Sequence, residues 1–182
     1  MHERALFFDR DGTLIVHRPY LADPDGVELM PGVRKVLHQF ISDGCLIFLF
    51  TNQSGVGRGL FTIDAVHHCN QRMLELLALP APGFTEICIA TETLEMPQLY
   101  RKPSPRFILE MIEKYSLAPQ QTWMIGDAFN DVMAGLNAGV RAAMVHGVEK
   151  QKLPAGVLRC GDFEELYTSL PHEDADRRFL TQ

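Results

Sequence analysis

Five short apolar runs, separated by stretches of helical periodicity, constrain the fold of this chain more than any other feature. They read ALFFD at 5–9, CLIFLF at 45–50, FTEICIA at 84–90, TWMIG at 122–126 and VRAAMV at 140–145. CLIFLF shows no polar alternation, as expected of a strand covered on both faces. Between the runs the spacing changes. Val33, Val36, Leu37, Phe40 and Ile41 recur at helical intervals within 31–43, with Pro31 suited to the first turn and Gly44 to the stop. Thr62 is placed to cap a second helix that reaches about Leu79, and Ser104-Pro105 opens a third. Phe107, Ile108, Met111, Ile112 and Tyr115 form the inward face of that third helix, a core stripe. Further helices are expected over about 129–138, ending at Gly139, and over 162–170. Strands alternating with helices through short connections predict an α/β fold: a doubly wound, Rossmann-like parallel sheet with helices on both faces. One domain is expected over 1–170, followed by a polar tail at 171–182.

Ligands of such sheets bind outside the carboxyl ends of the strands. Asp9 and Asp11 follow the first strand, Thr51, Asn52 and Gln53 end or follow the second, and Asp127 follows the fourth. Asp131, Arg58, Arg101 and Lys102 are close by in sequence, so one rim gathers carboxylates, hydroxyl and amide groups, and cations. Several carboxylates in one cleft repel each other unless a cation joins them, and all-oxygen ligation suits Mg²⁺. The hydroxyl and the Lys/Arg groups suit a phosphoryl group. Each signal alone is ambiguous: Asp11-Gly12 is also turn chemistry, and Asp127 could cap a helix. Together they predict phosphoryl transfer.

DRDGT at 9–13, TNQSG at 51–55, RKPSP at 101–105 and GDAFND at 126–131 resemble, in order, the four motifs of the haloacid dehalogenase (HAD) superfamily of phosphatases. The resemblance implies a Mg²⁺-dependent phosphomonoesterase that works through an aspartyl phosphate. It makes Asp9 the nucleophile and Asp11 the acid/base, and it puts Thr51 and Lys102 on the phosphoryl group. It implies metal ligation by Asp9, by Asp11 through its backbone carbonyl, by Asp127, and by Asp131 directly or through water. Asn52, Gln53, Arg58 and Arg101 are expected to meet the substrate. Residues i and i+2 of an extended segment point to one side, so Asp9 and Asp11 can reach one phosphoryl group. Asp11 must alternate between acid and base, so its pKa is expected nearer working pH than that of Asp9.

Neither gap between the motifs holds a separate cap domain, which predicts a HAD-like fold with no large cap. DRDGT, TNQSGVGRG, RKP and NAG are most similar to the capless branch that contains D-glycero-D-manno-heptose-1,7-bisphosphate phosphatase and histidinol-phosphate phosphatase. A sugar bisphosphate of the heptose type is therefore the first expected substrate and histidinol phosphate the alternative. Members of that branch commonly carry a zinc loop of three cysteines and a histidine just before RKP. Here CIATETLEMPQLYRKP offers Cys88 alone, so no structural zinc is expected. The segment 12–30 reads as one long irregular loop, and such loops are often functional.

The net charge of −6 and the lack of a basic stripe argue against nucleic acid. No apolar run approaches the roughly 20 residues that a membrane span needs. The four cysteines form no CxxC pair and no signal-peptide core precedes the first strand, so free thiols and a cytoplasmic location are expected. His67-His68-Cys69 falls in a helix, where neighbours point roughly 100° apart, and is not a metal site. The expected partner is a small phosphorylated metabolite, and the expected state a monomer. Two other classes stay open: a receiver-like module phosphorylated on aspartate, and a nucleic-acid 3′-end phosphatase.

Overall fold

A computed structural model describes residues 4–147 and 152–171. The strands are β1 (Ala5–Phe8), β2 (Leu46–Asn52), β3 (Glu86–Ala90), β4 (Thr122–Gly126), β5 (Arg141–Val145) and β6 (Leu158–Cys160). The helices are α1 (Val33–Ser42), α2 (Ser54–Gly57), α3 (Ile63–Leu77), α4 (Arg106–Tyr115), α5 (Phe129–Asn137) and α6 (Phe163–Ser169). All strand pairs are parallel and form one sheet in the order β3-β2-β1-β4-β5-β6. Strand order runs outward in both directions from the β1/β4 pair, which makes the end of β1 the topological switch point where ligands enter such sheets. Asp9 stands there.

The pleat divides the apolar residues between two layers. Leu6, Phe8, Ile47, Leu49, Trp123 and Ile125 pack with α1, α3 and α6. Ala5, Phe7, Phe48, Phe50 and Met124 pack with α4 and α5. The Phe7 and Phe48 rings stack at 4.5 Å between centroids, and Phe107 of α4 meets Phe7 edge-on at 5.7 Å. Burial on both faces is why these strands read as unbroken apolar runs.

The expected elements are present with ends that coincide or shift by one to two residues. Thr62 caps α3, its hydroxyl accepting from the Ala65 N–H at 3.2 Å, and Asp162 caps α6 by accepting from Glu165 N–H at 2.8 Å. β6 and α2 are additions. The 12–30 segment is more ordered than expected: Val16 N–H donates to Glu28 O at 2.8 Å and Met30 N–H to Leu14 O at 3.0 Å, so the chain doubles back on itself. A 3₁₀ turn at Pro24–Gly26 sits within it. All four cysteines are free thiols. No helix among the described residues is long and apolar enough to cross a membrane. From residue 172 the expected polar tail lies outside the described residues.

Candidate active site

Asp9 leaves the sheet immediately after β1, its N–H still donating to Ile125 O of β4 at 2.9 Å, and it is 7 % exposed. Its carboxylate oxygen lies in a group with those of Asp127 and Asp131, all within 4.8 Å of one another. Facing them is one ammonium. Lys102 Nζ donates to Asp9 Oδ1 at 2.6 Å, pairs with Asp131 Oδ1 at 2.6 Å and donates to Phe50 O at 2.7 Å. Three acceptors satisfy its three protons, as a lysine only 2 % exposed requires.

Two glycines set where the carboxylates sit. Gly12 has φ +87°, and a Cβ there would stand 2.2 Å from Asp127 Oδ2. A Cβ on Gly126 would stand 2.2 Å from Asp131 Oδ2. Asp131 Oδ2 also accepts the Ala128 N–H at 3.0 Å at the start of α5, so its two oxygens serve the helix end and Lys102. Thr13 Oγ1 donates to Asp127 Oδ1 at 3.4 Å.

Burial pushes the Asp9 carboxyl up to about 8; Lys102 pulls it down, while Asp131 and Asp11 push it further up. Burial, with Asp131 beside it, also pushes Asp127 up to about 6. Asp9 thus lies near neutral pH, because desolvation among three carboxylates dominates. Burial alone would lower the Lys102 ammonium, but Asp131 and Asp9 outweigh it and hold the group above its ordinary value. Three carboxylates against one ammonium leave excess negative charge in a desolvated, all-oxygen site. Such a donor set fits a hard divalent cation, which would take the place of the proton.

Asp11 stands slightly apart from this cluster. Its Oδ2 accepts from Gln53 Nε2 at 2.7 Å, and that same amide donates to Thr51 Oγ1 at 2.9 Å. Since Thr51 accepts through its oxygen, its own proton stays available to a ligand. Asn52 turns to the backbone: its Nδ2 donates to Lys102 O at 3.2 Å and its Oδ1 accepts the Lys102 N–H at 2.9 Å. It fixes the lysine's place. Arg58 is surface-exposed and donates to the Tyr20 hydroxyl at 3.1 Å. Asp11, His17, Tyr20, Asn52, Gln53 and Phe61 line a cleft of about 150 Å³. A larger hollow, about 640 Å³ beside Met30 and His38, contains none of these groups.

The segment before Lys102 closes on Glu92. One carboxylate oxygen, Oε1, accepts the N–H groups of Leu99, Tyr100 and Arg101 at 3.2, 2.7 and 3.3 Å. Arg101 Nη1 donates back to Glu92 O at 3.2 Å, and Gln98 Nε2 donates to Thr93 O and Met96 O, each at 2.6 Å. Sequence reasoning missed Glu92, and it missed Arg10 and Asn70, which meet behind Asp11. No local pattern marks such contacts, because each joins residues distant in sequence or reads as ordinary surface polarity.

The family model for haloacid dehalogenase-like hydrolases matches residues 18–139. The chain is 32 % identical to the D-glycero-β-D-manno-heptose-1,7-bisphosphate 7-phosphatase of Helicobacter pylori over 165 residues, 90 % of this chain and 95 % of that one. It is 28 % identical to the D-glycero-α-D-manno-heptose-1,7-bisphosphate 7-phosphatase of Campylobacter jejuni, over 93 % of each. Its fold is similar to that of the D,D-heptose 1,7-bisphosphate phosphatase from B. bronchiseptica complexed with magnesium and phosphate. The TM-score there is 0.84 at 24 % identity, covering 92 % of this chain and 97 % of the other.

Proposed function

Because the chain belongs to the haloacid dehalogenase-like hydrolases and is a phosphatase, we propose that it removes one phosphate from a sugar bisphosphate of the D-glycero-D-manno-heptose 1,7-bisphosphate class, with Asp9 as nucleophile. The observation that carries this reading is the buried Lys102 ammonium, 2.6 Å from Asp9 at the end of β1. It holds the carboxylate in place and offsets charge where a phosphoryl group would arrive.

Asp9 and Asp127, with the backbone carbonyl of Asp11, are the groups that would hold Mg²⁺. Once bound, the ion neutralises charge on the carboxylates and on the phosphoryl oxygens. Asp131, with both oxygens engaged, aims Lys102. An Asp9 oxygen attacks phosphorus, the bond to the leaving oxygen breaks, and Asp11 gives that oxygen its proton. Asp11 then takes a proton from the water that attacks the aspartyl phosphate, which releases phosphate and restores Asp9. The Thr51 hydroxyl, oriented by Gln53, donates to a phosphoryl oxygen throughout. Arg58 and Arg101 supply positive charge at the rim that suits a second phosphate.

Phosphate release with Mg²⁺ tests the reading, across both anomers of the heptose bisphosphate, histidinol phosphate and a 3′-phosphorylated oligonucleotide. The highest kcat/KM is expected on a heptose bisphosphate, with one phosphate released. A higher value on histidinol phosphate or the oligonucleotide would move the substrate class. Stoichiometric labelling by acetyl phosphate without turnover would overturn the hydrolytic reading itself.

A further inference from the structure

Arg10, the residue between the two aspartates, is 1 % exposed. A guanidinium so buried needs acceptors for its donors and a counter-charge. Nε and Nη2 donate to Asp11 Oδ2 and Oδ1 at 3.0 and 3.2 Å, a two-pronged grip on the carboxylate. Nη1 donates to Asn70 Oδ1 on α3 at 2.8 Å. Asn70 is itself 4 % exposed, and its Nδ2 meets no acceptor among the described residues. Its polarity is therefore directed to Arg10, through oxygen alone.

Arginine has a long, flexible stem, and its head is a rigid plane. Two bonds to the adjacent residue leave that plane free to swing together with the carboxylate it grips. A third bond to a fixed point on α3 pins the plane, and a pinned plane fixes the carboxylate that shares its fork. Gln53 fixes the same carboxylate from the side of Thr51.

We propose that Asn70 is a positioning residue for the reaction: through Arg10 it holds the Asp11 carboxylate where its proton reaches the leaving oxygen. The inference rests on the reading of Asp11 as the acid/base. A residue that only satisfied a buried arginine would affect all substrates alike. A residue that positions the acid matters in proportion to how much the leaving group needs a proton.

The experiment is kcat/KM for phosphate release from p-nitrophenyl phosphate, phenyl phosphate and an alkyl phosphate such as glycerol 3-phosphate. This parameter reports the transfer to Asp9, in which the leaving oxygen is protonated. General acid catalysis contributes about 10²–10⁴-fold, so its partial loss is readable. Asn70→Ala is expected to lower the alkyl phosphate value at least ~10-fold and to leave p-nitrophenyl phosphate within about twofold. Asn70→Asp keeps the acceptor oxygen, gives up the unused donor and adds a negative charge that pairs with the Arg10 guanidinium, so the plane stays pinned and most of the alkyl rate should be recovered. Equal loss on all three substrates, or no recovery in Asn70→Asp, overturns the inference. If Asn70→Ala does not fold, Asn70→Leu, close in size and without an acceptor, takes its place. Asp11→Asn separates the two levels. If its loss is the same for every leaving group, the acid/base reading falls; if it depends on the leaving group and that of Asn70→Ala does not, only the role of Asn70 falls.

Discussion

Gly12→Ala tests whether the backbone was shaped around Asp127. Gly12 has φ +87°, and an alanine Cβ would lie 2.2 Å from Asp127 Oδ2 and 2.7 Å from its Cγ. Carbon–oxygen contacts relax at roughly 3.3 Å and beyond, so the carboxylate has to retreat by about 1 Å. The left-handed backbone alone costs a side chain about 1–2 kcal/mol. For a domain of this size that corresponds to a fall in Tm of about 2–8 °C. The displaced carboxylate is the larger functional effect. Moving a group that holds or orients a metal costs about 10–100-fold in metal affinity, and a misplacement of about 1 Å can cost about 10²-fold in rate. The assay is phosphate release titrated with Mg²⁺, alongside thermal unfolding in EDTA. The half-saturating Mg²⁺ concentration should rise at least ~10-fold. In an Asp127→Ala background Gly12→Ala should cost only the backbone strain, since the clash is gone. A lower Tm with Mg²⁺ dependence unchanged within about twofold would refute the reasoning.

The raised carboxyls make a statement about pH. Asp9 is at about 8 in the fold against 3.8 ordinarily, so in EDTA the folded state binds more protons than the unfolded one between those values. Stability should therefore be fullest below about pH 4 as far as this group is concerned, and should be lost as pH rises to about 8. A Tm in EDTA that climbs from pH 5 to pH 8 would contradict this, and Mg²⁺ should flatten the trend. Lys102→Met removes the ammonium from two buried carboxylates and should cost about 3–5 kcal/mol at pH 8 in EDTA. Urea midpoints should show a smaller loss at pH 5, where the carboxyls take up protons. Asp9→Asn should abolish phosphate release while raising the Tm in EDTA at pH 8; substantial residual turnover would remove Asp9 as the nucleophile.

The strands were legible where both faces are buried. Ala5–Phe8 and Thr122–Gly126 lie in the middle of the sheet, and their apolar runs admit no other reading. β6 escaped because Leu158–Cys160 has three residues with an arginine in the centre, too few for any period. α2 escaped because SGVG reads as a flexible turn. Only the structure shows Gly55 tucked against the Phe61 ring, where a Cβ would come within 2.2 Å. The groups along the rim were legible from their place after strands and from the order of four motifs. Their partners were not. Arg10 and Asn70 stand 60 residues apart, and an asparagine in a helix reads as surface until the fold buries it. Asn52 and Gln53 were expected to meet substrate, and their side-chain hydrogen bonds run to Lys102, Asp11 and Thr51. Two amides one residue apart on a strand end point to different sides, which spacing alone did not use.

Glu92 gathers three successive amides on a single oxygen, and with them the approach to Arg101 and Lys102. That approach is held by the chain's own backbone and one acidic side chain. A single codon change at position 92 would therefore release three amides at once, one residue from the lysine that pairs with Asp9.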